Sequence, residues 1–202
     1  MIKELIEDKQ LESLNFIERW QLKRKIRTDN VAQHSYWVTF FSMILVDELL
    51  DNTGFSSEYK NLMKLQVMCY AMNHDITEIS TGDISHEVKN NSWNGSSLRK
   101  LLKELEERFL EERFSSREEI SMRNIASSQE ADQHIKEIVK VADWMSFLQY
   151  LTTEKSLGNS NLDDEYNYCF RSLKISISNC IRSLDNFGML HNFNLKIFNG
   201  LI

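Results

Sequence analysis

Thr28–Gly54 reads TDNVAQHSYWVTFFSMILVDELLDNTG, and its pattern decides the fold class. Thr28, Asp29 or Asn30 can cap a helix by accepting hydrogen bonds from the first free backbone N–H groups. Apolar side chains then recur at Val31, Val38, Phe41 and Leu45, the spacing of one buried helical stripe. The run ends at Asp51-Asn52-Thr53-Gly54, a polar stop with glycine just beyond. The rest of the chain agrees. It has no proline and only six glycines, whereas strand-rich proteins use both at their turns. The expected fold class is all-α.

Working outward, a first helix is expected over about Lys3–Leu14. Asn15–Arg27 reads as a loop or short helix, with Arg19, Lys23, Arg24, Lys25 and Arg27 forming a mostly solvated basic face. Ser56 or Ser57 opens another helix, with Leu62, Leu65, Met68 or Cys69, and Met72 as its inner side; His74 and Asp75 fall near its end. Ser80–Asp83 is read as a turn. Lys89–Ser97, KNNSWNGSS, is the expected mobile loop, in which Trp93 either caps a core or covers a pocket. A charged amphipathic helix follows over Leu98 to about Phe114. The next begins near Asp132 and buries Ile135, Ile138 or Val139, Ala142, Met145 or Phe147, and Leu148. Gly158-Asn159-Ser160-Asn161 breaks the pattern before a last long helix from Leu162 to about Leu184. No repeat and no linker divides residues 1–202, so one domain is expected.

Composition excludes several classes. A formal net charge of −6 argues against binding a nucleic-acid duplex, which needs a basic face to displace counterions; a nucleotide needs only a local Lys or Arg pocket. Cys69, Cys169 and Cys180 are too few and oddly numbered for a disulfide framework. The start, MIKELIEDKQLESLNF, is charged throughout, so no signal peptide is expected. No stretch approaches the ~18 apolar residues of a membrane-spanning helix. Cytoplasmic localisation is the expectation.

Four residues in three separated segments carry the chemistry. His34 lies in NVAQHS, His74 and Asp75 in YAMNHDITEISTGD, and Asp143 in VKVADWM. His34 falls three after Val31 and four before Val38, on the buried face of its helix. Asp143 falls four after Val139 and four before Phe147; a carboxylate on an apolar stripe is costly unless paired or metal-bound. A lone His on such a face is usually a hydrogen-bonded core residue, and His86, His134 and His191 are read that way. Two imidazoles with two carboxylates suit Mn, Co, Ni, Fe or Zn, whereas Mg generally prefers oxygen alone. An octahedral ion so held keeps two open positions, for water and for a phosphoryl oxygen, and points to hydrolysis at phosphorus.

The segments LNFIERWQLKRKIRTDNVAQHSYWV, YAMNHDITEISTGDISHEVK and IVKVADWMSFLQYL together resemble the HD-superfamily phosphohydrolases. Within these the chain is most similar to the bacterial 5′-deoxynucleotidase group, through RW, RT-x-N-x-x-x-HS, HD-x-x-E-x-x-TGD and VK-x-AD. The resemblance spans roughly Leu14–Leu151. It implies a helical bundle with a metal site in its core, one divalent ion (Co, Mn, Zn, Ni, Fe or Mg), and His34, His74, Asp75 and Asp143 as its ligands. It assigns Glu78 to proton transfer; four residues after His74, Glu78 fits a shared helical face. Asp83 would contact the sugar and exclude wrong substrates, Arg19 would hold phosphate oxygens, and Trp20 would lie against the sugar, although a plain core Trp is an equal reading. Lys89 would reach a phosphate, and Arg27 and Asn30 would brace the site. The family pattern has prolines after TGD where this chain has ISHEVK.

The implied activity is hydrolysis of 2′-deoxynucleoside 5′-monophosphates to deoxynucleoside and phosphate. Three readings compete: release of intact triphosphate from a deoxynucleoside triphosphate, a cyclic-nucleotide phosphodiesterase, and a non-catalytic nucleotide sensor. The first would be favoured by further cations near the pocket, with Lys23, Arg24, Lys25, Lys89, Arg99 and Lys100 as candidates. The expected partners are a deoxynucleotide and a second copy of the chain (a homodimer or higher homo-oligomer), with no duplex nucleic acid and no membrane.

Overall fold

The computed structural model describes residues 9–89, 95–114, 133–186 and 193–200. Lys3–Asp8 of the helix expected over Lys3–Leu14, Trp93 with its loop residues 90–94, and His191 lie outside the described residues. Helices α1 (Lys9–Glu12), α2 (Val31–Leu50), α3 (Ser57–Asn73), α4 (Glu78–Thr81), α5 (His86–Lys89), α6 (Gly95–Phe114), α7 (Gln133–Ser156) and α8 (Asp163–Asn186) carry the structure. Among the described residues there is no strand, only an isolated antiparallel bridge between Glu18 and Asn30. The fold is an all-α bundle.

Of the three candidates, Asn30 caps α2, its side chain accepting from the Gln33 N–H. Ser56 caps α3 in the same way, from Tyr59. Both satisfy a donor the helix start leaves free. Helix α7 is the centre of the bundle: α2, α3 and α8 all pack on it. Its buried stripe includes Ile135, Ile138, Val139, Ala142 and Leu151. It meets Val38, Leu45, Val46 and Leu49 of α2, Val67 and Ala71 of α3, and Leu173, Ile177 and Leu184 of α8 in one core. Each such Leu, Ile or Val contributes ~1.5–3 kcal/mol by leaving water. After α8 the chain returns to this core: Phe193 and Phe198 are buried, and the Asn194 N–H donates to the Leu49 carbonyl at 2.8 Å.

Several expectations need correction. The inner face of α3 is Met63, Val67 and Ala71, while Leu62, Leu65 and Met72 are exposed. The helix is apolar on two faces, and the one with the smaller side chains at Val67 and Ala71 turns inward to α2 and α7. Of the two forms expected for Asn15–Arg27, loop and short helix, the loop is found, following a 3-10 turn over Ser13–Asn15. Ser80 and Thr81 belong to α4, and the turn begins at Gly82, whose φ of 69° lies in the region open to glycine. Gly95, Ser96 and Ser97, read as loop, open α6.

Candidate metal centre and substrate cleft

Three helices bring the four sequence-predicted ligands together. His34 projects from the second turn of α2, Asp143 from the middle of α7, and His74 caps the C-terminus of α3 with Asp75 following it. His34 Nε2 lies 3.0 Å from Asp143 Oδ1 and 3.6 Å from Asp75 Oδ2. His74 Nε2 lies 3.2 Å from the same Asp75 oxygen. Ligand atoms of His34, His74 and Asp143 all fall within 4.8 Å of one another.

The outward nitrogens of both rings are fixed. His34 Nδ1 sits 3.0 Å from Ser146 Oγ, and His74 Nδ1 donates to the Ala71 carbonyl at 2.6 Å. Such partners set tautomer and ring orientation in metal sites. The inward atoms, Nε2 of His34 and of His74, are buried and approach the Asp143 and Asp75 carboxylates at 3.0 and 3.2 Å without hydrogen-bond geometry. Buried polar atoms are nearly always well satisfied, so two imidazole nitrogens and two carboxylates crowded this way fit a divalent cation. Electrostatics agree. Burial, and next the Arg19 guanidinium, lower His34 to about 4. Burial would lower His74 too, but the Asp75 carboxylate beside it raises it to about 9. Burial would raise Asp143, yet Lys140 and the two imidazoles hold it well below the carboxylate range. Without a cation, protons and Lys140 balance the carboxylates.

A cleft of about 680 Å³ opens onto this cluster. Asp75 and Asp143 line it together with Arg19, Trp20, Asp83 and Lys89. Arg19 is buried, its guanidinium 3.7 Å from Asp29 Oδ2 and 4.5 Å above the Phe147 ring. Trp20 stacks on Tyr150 and meets Phe147 edge-on, so one side of the indole belongs to the core and another borders the cleft. Asp83 is raised by burial, against the pull of Arg19 and Lys89. The shared helical face expected for His74 and Glu78 does not exist: α3 ends at Asn73 and Glu78 starts the separate α4. Glu78 is nevertheless buried at the site, 3.7 Å from Lys89 Nζ. Burial, then the Asp75 and Asp83 carboxylates, raise it to about 8.

Of the further cations considered, Lys23 and Lys89 border the cleft. Lys25 is spent on Glu18 and the Arg19 carbonyl, Arg99 donates to the Lys89 carbonyl, and Lys100 faces Glu104 on the exposed side of α6. Asn30 braces α2 as its cap, and the Arg27 backbone N–H donates to Glu154. Sequence reasoning missed Lys140, whose Nζ is 2.5 Å from Asp143 Oδ2, and the aromatic wall of Phe147, Trp144 and Tyr168. The signal was present: Lys140, Asp143, Ser146 and Phe147 recur at three- and four-residue spacing along one face of α7. That wall runs from the ligands outward, Phe147 lying 5.2 Å from the His34 ring, Trp144 5.3 Å from Phe147, and Tyr168 5.9 Å from Trp144.

A family model described as 5′-deoxynucleotidase YfbR-like matches residues 9–187. The chain belongs to this YfbR-like family. It is a metal-dependent phosphohydrolase of the HD type. Over 154 residues it is 31% identical to the 5′-deoxynucleotidase yfbR of Photorhabdus temperata, covering 76% of this chain and 75% of that protein. A 5′-deoxynucleotidase of Yersinia pestis (strain Pestoides F) is 28% identical over 150 residues, 74% of each chain. Two solved structures share the fold. An HD-domain phosphohydrolase from Listeria innocua superposes with a TM-score of 0.61 at 23% identity, over 98% of this chain and 85% of that one. The cyanophage S-2L HD phosphohydrolase DatZ, solved with dA and one catalytic Zn2+ ion, superposes with a TM-score of 0.64 at 16% identity, over 90% and 94%.

Proposed function

We propose that residues 1–202 form one domain that hydrolyses 2′-deoxynucleoside 5′-monophosphates to deoxynucleoside and inorganic phosphate. The observation that carries this reading is the cleft itself, in which Asp75 and Asp143 share a wall with the buried Arg19. A divalent cation held by His34, His74, Asp75 and Asp143 would supply a Lewis acid for a phosphoryl oxygen and an acidified water. The Arg19 guanidinium, already inside the cleft, takes the remaining phosphate oxygens through its fork of N–H donors. Water attack forms one P–O bond and breaks that to the 5′-oxygen. Glu78, held protonated by its surroundings, gives its proton to the departing oxygen. Asp83 and Trp20 face the sugar, Asp83 as an acceptor for its hydroxyl and Trp20 as the apolar surface that disfavours a 2′-hydroxyl. Lys89 steadies Glu78 and meets the phosphate. The relatives named 5′-deoxynucleotidase support this substrate class.

A second reading, release of triphosphate from deoxynucleoside triphosphates, is favoured by three lysines on the cleft wall, Lys23, Lys89 and Lys140. Turnover with added Co or Mn, scored for phosphate against triphosphate, separates the two. Release of neither by fully metal-loaded protein overturns both and leaves a nucleotide sensor.

The protein is cytoplasmic, on the support of three free cysteines; among the described residues no helix is long and apolar enough to cross a membrane. It is a homodimer or higher homo-oligomer, on the support of exposed apolar side chains at Tyr36, Phe40 and Ile44 of α2 and Leu62, Leu65 and Met72 of the adjacent α3. Sedimentation of the wild type against Leu65→Glu tests this; a monomeric wild type refutes it.

A further inference from the structure

Glu154 is fully buried near the C-terminal end of α7, outside the metal cluster. A buried carboxylate demands donors, and three converge on it. The Ile26 N–H donates to Oε2 at 2.8 Å, the Arg27 N–H to Oε1 at 2.7 Å, and Asn159 Nδ2 to Oε2 at 2.7 Å. The same tip of the 17–30 loop is tied down twice more. The Tyr150 hydroxyl donates to the Arg27 carbonyl at 2.8 Å, and Asn159 Nδ2 to the Arg24 carbonyl at 2.9 Å. At the neck of the loop the Arg19 N–H donates to the Asp29 carbonyl and the Val31 N–H to the Ile17 carbonyl.

What lies between neck and tip is the substrate-binding pair. Trp20 has a φ of 58°, a conformation that a bulky residue keeps only where its surroundings over-determine it. The link is Lys25. Next to the anchored Ile26, its ammonium donates to the Arg19 carbonyl at 2.6 Å and to Glu18 Oε2 at 2.9 Å. Held this way, the Arg19–Trp20 peptide cannot turn, and both side chains face the cleft.

We propose that Glu154 is a positioning residue for substrate: through the anchored tip and Lys25 it fixes Arg19 and Trp20, and so sets both phosphate affinity and the preference for a 2′-deoxy sugar. The inference rests on the deoxynucleotidase reading of the cleft. It predicts a chemical asymmetry. A carboxylate offers acceptors to every donor present, whereas a glutamine offers one oxygen and turns an NH2 group on a backbone N–H.

The test compares metal-loaded wild type, Glu154→Gln and Lys25→Met with 2′-deoxyadenosine 5′-monophosphate and its ribose counterpart. Manganese affinity is measured by calorimetry alongside KM and the deoxy-to-ribo ratio of kcat/KM. With metal affinity retained, Glu154→Gln should raise KM at least about tenfold and compress the ratio, inside the ~10²-fold that an ångström of misplacement can cost. Lys25→Met, a substitution outside the core, should shift KM and ratio in the same direction, and it carries the test if Glu154→Gln does not fold. A ratio left at the wild-type value in both variants overturns the proposal, and a loss of melting temperature alone assigns Glu154 to the fold. If the wild type binds the deoxynucleotide without cleaving it, the reaction assigned above fails, while the anchor is still read from the two nucleotides' binding constants.

Discussion

Glu78 and His74 show how burial converts ordinary side chains into a proton inventory. Glu78 titrates near about 8 in the folded chain against a usual 4.5, through burial first and then its carboxylate neighbours. The folded state therefore keeps a proton that the unfolded state releases, and the stability this contributes falls as pH rises from about 4.5 to about 8. In the proposed reaction this proton is the one given to the leaving oxygen. A cation on Asp75 would loosen this proton, so the rate should fall as pH rises through a midpoint between about 4.5 and about 8, and Glu78→Gln should be slower by ~10²–10⁴-fold with no alkaline limb. A pH–rate profile that keeps the limb in Glu78→Gln removes this residue from proton transfer. His74 has the opposite role. Raised to about 9 by Asp75, it is protonated at neutral pH in the metal-free chain, and metal binding must displace that proton. Calorimetric manganese titrations in buffers of different ionisation enthalpy should reveal the release, and it should vanish as pH approaches 10.

At the level of helices, the sequence disclosed most where start and stop signals framed the buried stripe. Helix α2 has both, so its extent and the inward direction of His34 were legible and its cap was narrowed to Thr28, Asp29 or Asn30, even though Tyr36, Phe40 and Ile44 form a second, exposed apolar row. Helix α3 has two stripes of similar length, and periodicity alone chose the one that faces outward. What selects Val67 and Ala71 is the close approach of α2 and α7, a tertiary fact. Glu78 illustrates the same limit. Its spacing from His74 suggested a common helix, but His74 ends one helix and Glu78 begins another. The convergence of His34, His74, Asp75 and Asp143 was legible because histidines and carboxylates on buried faces need partners; Glu154 was not, because two of its three partners are backbone N–H groups over a hundred residues away. The cap of α2 gives a prediction at this scale. Asn30→Ala removes the acceptor for the Gln33 N–H and should cost ~1 kcal/mol in urea unfolding. Because His34 sits one turn on, manganese affinity should weaken as well; an unchanged affinity would separate the cap from the site.

Across the whole molecule, the proposed metal cluster joins α2, α3 and α7, helices that also build the core. Ion binding and folding are thus coupled: a cation at a hundred times its Kd adds ~2.7 kcal/mol to the folded state. Chelation should lower the Tm, and the effect should disappear in Asp75→Ala; equal melting with and without chelator would place the ion away from these helices.

The aromatic wall has an optical consequence. Among the described tryptophans, Trp20 and Trp144 border the cleft. A nucleotide entering the cleft beside them would quench their emission, so the arrival and departure of unlabelled ligand can be followed in real time, even in an inactive variant.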